Sequence, residues 1–136
     1  MVKQTTQNEI VIYNHKDFMQ GVKYLTNCCK IIQKKDKFKF DGIYGIPRGG
    51  YQLALHLSHS LNLPFKEKNN ITKKTIIVDE ICDTGKTLKK YKDNFKCVLV
   101  SKYKGINCID NLVSHKIYPN NAWIKFYWEN DNDLKK

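Results

Sequence analysis

Asp79, Glu80, Asp83, Thr84, Gly85, Lys86 and Thr87 stand in one run directly behind the apolar residues Ile76, Ile77 and Val78. Side chains of these types in this order can hold a phosphorylated sugar. The N–H groups and hydroxyls of a small-residue turn converge on a phosphate where a helix begins. Carboxylates set against that phosphate would be repelled, whereas a carboxylate accepts hydrogen bonds from vicinal hydroxyls. An acid pair followed by a turn therefore fits a ribose carrying a 5-phosphate. Gly85-Lys86-Thr87 also matches the second half of the nucleoside-triphosphate loop GxxxxGK[ST], but that loop requires glycine where Glu80 stands. A plainer alternative is a strand end followed by a helix cap, which does not require the preceding acid pair.

A second candidate anion site is Pro47-Arg48-Gly49-Gly50, between an apolar segment and a helical pattern. Two glycines let backbone N–H groups approach an anion closely. Arg48 is the chain's only arginine, and a guanidinium donates bidentate hydrogen bonds to phosphate where lysine acts as a point charge. The alternative is an ordinary turn. Further along, Lys102 follows the apolar Cys97-Val98-Leu99-Val100-Ser101, and Trp123-Ile124 opens an aromatic tail running to Trp128. Taken alone, Lys102 is equally a surface lysine and Trp123 equally a core residue. The tail suits either a pocket or an interface.

The elements that must position these residues alternate. Ile10 to Tyr13 reads as a short strand, and Phe18, Val22, Leu25, Cys29 and Ile32 recur at helical spacing from His15 to about Lys34. Asp41 to Ile46 reads as a strand, Tyr51 to Leu61 as a helix, Leu63 to Phe65 as an edge strand and Thr75 to Glu80 as a central strand. Thr84 to about Asp93 is expected to form the helix behind the phosphate turn. Cys97 to Ser101, Leu112 to Ile117 and Trp123 to Tyr127 supply further strands. The pattern predicts an α/β fold with a mostly parallel central sheet flanked by helices. Ligands of such sheets bind outside the carboxyl ends of the strands.

With 136 residues, the expectation is a single domain over 1–136, with polar ends that fray. No linker or repeat is visible, and no apolar leader or membrane-length apolar run, so a soluble cytoplasmic protein with no membrane partner is expected. The five cysteines, Cys28, Cys29, Cys82, Cys97 and Cys108, show no CxxC pair and indicate neither zinc nor a disulfide framework. His15, His56, His59 and His115 form no full ligand set. The net charge of +11 comes almost wholly from dispersed lysines. Without an arginine-rich helix or an aromatic RNA-binding signature, it reads as a solvated surface, and nucleic acid is not an expected partner.

Ile76 to Leu88 resembles the signature of type I phosphoribosyltransferases, enzymes that use phosphoribosyl pyrophosphate (PRPP). Ile46 to Gly50 is similar to their pyrophosphate loop, and Ser101-Lys102 with Trp123-Ile124 resembles their purine pocket. The resemblance spans most of the chain, strongest at Ile76 to Leu88 and weakest after Ile109, and is nearest to the small bacterial xanthine, guanine and hypoxanthine enzymes. It implies purine salvage: a 6-oxopurine and PRPP yield the nucleoside 5′-monophosphate and pyrophosphate. Asp83, Thr84, Gly85, Lys86 and Thr87 would then bind the 5′-phosphate, with Asp79 and Glu80 on the ribose and Mg2+ side. Pro47, Arg48, Gly49 and Gly50 would bind pyrophosphate, through a loop that in this family is commonly strained or cis. Lys102 would donate to the 6-oxo group, Trp123 would stack on the base, and backbone near Ile124 would read its far edge. Asp83 would be the catalytic acid near purine N7, its rival role being a helix cap. A homo-oligomer, dimer or tetramer, is implied.

Two departures from that family stand out. The interval Lys66 to Lys74 is too short for the long mobile lid that usually closes over the reacting centre. Lys125 replaces an acid and would favour xanthine or hypoxanthine over guanine. The short lid motivates a different class of function, a non-catalytic PRPP- or nucleotide-sensing module. Transfer to another nitrogen base is the remaining alternative.

Overall fold

The computed structural model describes residues 9–36 and 39–129, and the polar ends expected to fray lie outside these. In chain order the elements are β1 (Glu9–Tyr13), α1 (His15–Asp36), β2 (Gly42–Gly45), α2 (Tyr51–Leu61), β3 (Thr75–Cys82), β4 (Lys96–Lys102), the single-turn α3 (Tyr103–Ile106), β5 (Leu112–Tyr118) and β6 (Ala122–Phe126). Strands β2, β3, β4 and β5 form one sheet in that order, each pair parallel. β1 and β6 form a separate parallel pair. The expected mostly parallel α/β architecture is what the chain adopts.

Strand alternation builds two cores from neighbouring residues. Ile43, Ile76, Val78, Cys97 and Leu99 face the helix layer, where they meet Phe18, Leu25, Leu53 and Leu57. Tyr44, Ile77 and Val98 face the other way, onto Leu88 and Ile109. The first layer is thick because α1 and α2 are long and one-sided. At the start of α1 a reciprocal capping box joins Asn14 and Asp17: the Asp17 N–H donates to Asn14 Oδ1 at 2.8 Å and the Asn14 N–H to Asp17 Oδ2 at 2.9 Å. Lys34 and Lys35 sit in its last turn, where the helix dipole favours cations. α2 ends at Asn62 in the left-handed region, φ 54°.

The second layer is thin. Instead of a helix over Thr84 to Asp93, the chain forms a 3-10 turn only over Leu88–Tyr91. The reason lies in composition: Leu88 and Tyr91 are its only large apolar residues, Leu88 alone is fully buried there, and Lys86, Lys89, Lys90 and Lys92 repel one another. The edge strand at Leu63 to Phe65 is reduced to one parallel bridge, Phe65 to Ile43.

Lys66 to Lys74 is pinned at the amino end of the sheet. Lys66 Nζ lies 3.0 Å from Asp41 Oδ2, Thr72 Oγ1 donates to the same carboxylate, and Asn94 Nδ2 donates to the Thr72 carbonyl at 2.8 Å. No helix among the described residues is long and apolar enough to cross a membrane.

Candidate functional site

At the carboxyl ends of β2 and β3 lies a cavity of about 890 Å³, lined by Pro47, Arg48 and Gly49 on one side and by residues 79–88 on the other. That volume suits a nucleotide-sized ligand. Both sequence-predicted anion turns open into it, and the acid pair stands between them. None of Lys66 to Lys74 lines it, so the described residues place no lid there.

The Pro47–Arg48 peptide is cis, a form the resemblance implied. Gly50 does not serve an anion: its N–H donates to the Ile46 carbonyl at 2.9 Å, it is buried, and it does not line the cavity. Its lack of a side chain is a packing requirement, since a methyl group there would stand 2.5 Å from the Val78 carbonyl oxygen and 2.8 Å from that of Ile46. Gly49 does face the cavity, and a methyl group there would overlap the Glu80 carboxylate. Glu80 therefore lies against the turn at 47–50 rather than apart from it.

Asp79 accepts the Glu80 N–H on Oδ1 at 2.8 Å. Burial pushes the Asp79 carboxyl up to about 6, the Glu80 amide pulling slightly the other way. Burial, and then the charges of Asp79 and Glu129, push Glu80 up to about 7 against the pull of Arg48. Two desolvated carboxyls stand side by side, and Arg48 is the cation that acts on Glu80. Among the described residues no group of three or more His, Cys, Asp or Glu is placed to hold a metal ion, so these two oxygen donors fit magnesium only if a ligand supplies further oxygens.

In the second turn Gly85 adopts φ +86°, a left-handed conformation that glycine takes without strain. Lys86 N–H donates to Thr84 Oγ1 at 3.3 Å and Lys89 N–H to the Gly85 carbonyl at 3.0 Å. The amides of Thr84, Gly85 and Thr87 have no hydrogen-bond acceptor among the described residues. Asp83 is exposed and, with no α-helix following it, caps nothing. Its carboxylate instead lies 3.6 Å from Nζ of Lys102. Lys102 is buried, which removes the surface-lysine reading, but its side chain does not line the cavity and reaches it only through Asp83.

The aromatic end differs from expectation. Trp123 and Ile124 do not line the cavity. On β6 the core-facing residues are Ala122, Ile124 and Phe126, so alternation turns Trp123 and Lys125 to the opposite face, Trp123 in register with Ile10. The lean toward xanthine or hypoxanthine thus loses the contact on which it depended. Trp128 and Glu129 line the cavity instead. A tight turn brings them there: the Glu129 N–H donates to the Phe126 carbonyl at 2.9 Å and the Phe126 N–H to Glu129 Oε1 at 2.8 Å. Trp128 stacks on Phe126 with ring centroids 4.8 Å apart, and Tyr127 Oη donates to Gln52 Oε1 at 3.1 Å. The sequence signal for this wall was the aromatic tail itself, whose pocket-facing member could not be chosen before the strand's phase was known.

No family model matches the chain, and no curated protein matches it. Solved structures do. A purine phosphoribosyltransferase from Pyrococcus horikoshii is 23% identical with a TM-score of 0.67, over 90% of this chain and 95% of that one. The Helicobacter pylori xanthine-guanine-hypoxanthine phosphoribosyltransferase is 23% identical with a TM-score of 0.68, over 95% and 99%. A hypothetical protein from Neisseria gonorrhoeae, solved with ppGpp bound, is 18% identical with a TM-score of 0.70, over 94% of each chain. The fold is that of the type I phosphoribosyltransferases.

Proposed function

We propose that the chain is a purine phosphoribosyltransferase that transfers the ribose 5-phosphate unit of PRPP to a 6-oxopurine, releasing pyrophosphate. The observation that carries this reading is one cavity into which both candidate anion turns open, with a half-buried acid pair between them. A ligand with phosphate at one end, pyrophosphate at the other and a diol in the middle matches that order of groups.

In the reaction the bond from the anomeric carbon to the pyrophosphate oxygen breaks and a bond to a purine nitrogen forms. Thr84, Gly85 and Thr87 amides hold the 5′-phosphate, Asp79 and Glu80 accept from the ribose hydroxyls, and Arg48 with the Gly49 amide steadies the departing pyrophosphate. Asp83 takes the proton that the base gives up, and Lys102, held beside it, donates to the 6-oxo oxygen. A 6-amino purine would present donors to that donor. Trp128, rather than Trp123, is the aromatic wall. Magnesium, held by Asp79 and Glu80 together with ligand oxygens, would supply charge neutralisation of the leaving group.

The same reading places the protein in the cytoplasm, where thiols such as Cys29 and Cys97 stay reduced, and assembles it as a dimer or tetramer. Exposed Tyr51, Leu55 and Phe65 offer apolar surface for assembly.

The observation that no lid segment lines the cavity favours a second reading, ligand sensing without turnover, in line with the ppGpp-bound Neisseria neighbour. Pyrophosphate release from PRPP and magnesium, measured with hypoxanthine, xanthine, guanine, adenine, uracil and orotate in turn, separates the two. Turnover with a 6-oxopurine supports the enzyme. Binding of PRPP or a nucleotide without turnover on any base replaces it with the sensing module.

A further inference from the structure

The 5′-phosphate turn has no long helix behind it to fix its height, yet its amides must meet a phosphate to within a few tenths of an ångström. What lies beneath it is the short segment 103–109. Gly105 in α3 is buried against the turn's backbone. A methyl group there would stand 2.7 Å from the Asp83 carbonyl oxygen and 2.8 Å from both the carbonyl oxygen and Sγ of Cys82. Carbon needs roughly 3.5 Å or more from such neighbours. Two of the three are backbone atoms, the Asp83 carbonyl in the turn and the Cys82 carbonyl at the end of β3, so relief requires backbone on one side of the contact to move.

A second contact comes from Ile109. A methyl group at Gly85 would stand 3.0 and 3.1 Å from Ile109 Cγ1 and Cδ1, so the isoleucine side chain is a shelf directly under the left-handed glycine. Ile109 is in turn fixed in the thin-layer core with Ile77, Leu88 and Val98. The segment also follows directly on Lys102, whose ammonium pairs with Asp83.

We propose that Gly105 and Ile109 are positioning residues for the 5′-phosphate turn: they set the height of the turn's amides and, through the Asp83 backbone, the aim of the Asp83 carboxylate. This rests on the phosphoribosyltransferase reading above. The pyrophosphate turn stands on α2 and is independent of this shelf.

That independence supplies the test. Calorimetric titration of the full chain with ribose 5-phosphate and, separately, with inorganic pyrophosphate and magnesium reads the two turns one at a time. Gly105→Ala is expected to weaken ribose 5-phosphate by about tenfold or more while leaving pyrophosphate affinity unchanged. Tyr103→Ala, on the exposed side of the same helical turn, is expected to alter neither. Should Gly105→Ala fail to fold, Ile109→Ala carries the same expected split. Unchanged ribose 5-phosphate affinity, or equal loss of both ligands in a folded variant, overturns the assignment. Wild-type protein that binds neither ligand would instead overturn the phosphoribosyl reading from which it starts.

Discussion

The turns at 47–50 and 83–87 end neighbouring strands and open into one cavity, but they are built on opposite plans. The first leads into α2, a full helix buried through Leu53, Ala54 and Leu57, and spends one glycine amide on the helix it starts. The second leads into a short 3-10 turn on a thin layer, keeps three amides free of internal partners, and rests on Gly105 and Ile109. The difference teaches that an anion turn needs rigid backing, and that a helix is only one source of it. It also divides labour. In the proposed reaction Arg48 would supply charge at the first turn and Asp83 a proton acceptor at the second.

If that division is real, the largest effect belongs to Asp83. Asp83→Asn keeps the size of the side chain but removes the proton acceptor and the ion pair with Lys102. It is expected to lower kcat for pyrophosphate release by about 10²- to 10⁴-fold, with pyrophosphate affinity unchanged. Normal turnover in this variant would reduce both turns to binding elements and erase the contrast.

Arg48→Lys addresses the other wall. Replacing a bidentate donor with a point charge is expected to weaken pyrophosphate by about 10- to 100-fold, the loss of roughly 1.5–3 kcal/mol attached to a charge-assisted hydrogen bond. Ribose 5-phosphate should bind as before. A matching loss of both ligands in titrations would show that the two turns act as one site.

Much of this arrangement is legible in the sequence. The apolar run Ile76 to Val78 identified a buried strand, although β3 runs on through Asp79 and Glu80 to end at Cys82 rather than at Glu80, and α2 begins and ends where the period of Leu53, Ala54 and Leu57 placed it. What was not legible depended on contacts between distant segments. Thr84 to Asp93 carries helix-forming lysines, but a helix in a thin layer needs an apolar face, and Leu88 with Tyr91 is too little. Trp123 and Trp128 look alike in sequence, and only the pairing of β6 with β1 decides which of them meets the cavity. Gly105, within Tyr-Lys-Gly-Ile, carries no local signal, because its role lies entirely in the carbonyls of Cys82 and Asp83.

Gly50→Ala sharpens the contrast at the level of packing. If Gly50 serves the fold and not the anion, its loss should appear in stability, at about 1–3 kcal/mol as for overpacked cores, read as a lower midpoint in urea unfolding. Pyrophosphate affinity per folded molecule should hold.

The smallest effect is electrostatic and concerns Glu80, which lies against the first turn although it belongs to the strand leading to the second. A carboxyl raised to about 7 in the folded chain, against an ordinary value of 4.5, stays protonated after the unfolded chain has lost its proton. Below pH 4.5 both states hold the proton and the group costs nothing. As pH rises from there to 7 the folded state binds more protons than the unfolded one, so stability falls, and above 7 the penalty is complete. Glu80→Gln is therefore expected to stabilise the ligand-free protein by about 1 kcal/mol at pH 8, after discounting for the solvent that reaches the group. The gain should vanish toward pH 4, and added magnesium with pyrophosphate should shrink it at pH 8 by stabilising the ionised wild-type pair. Thermal unfolding at the two pH values reads both. A gain equal at pH 4 and pH 8 would mean that Glu80 is destabilising by its shape against Gly49 rather than by its charge, leaving Arg48 as the electrostatic element of that wall.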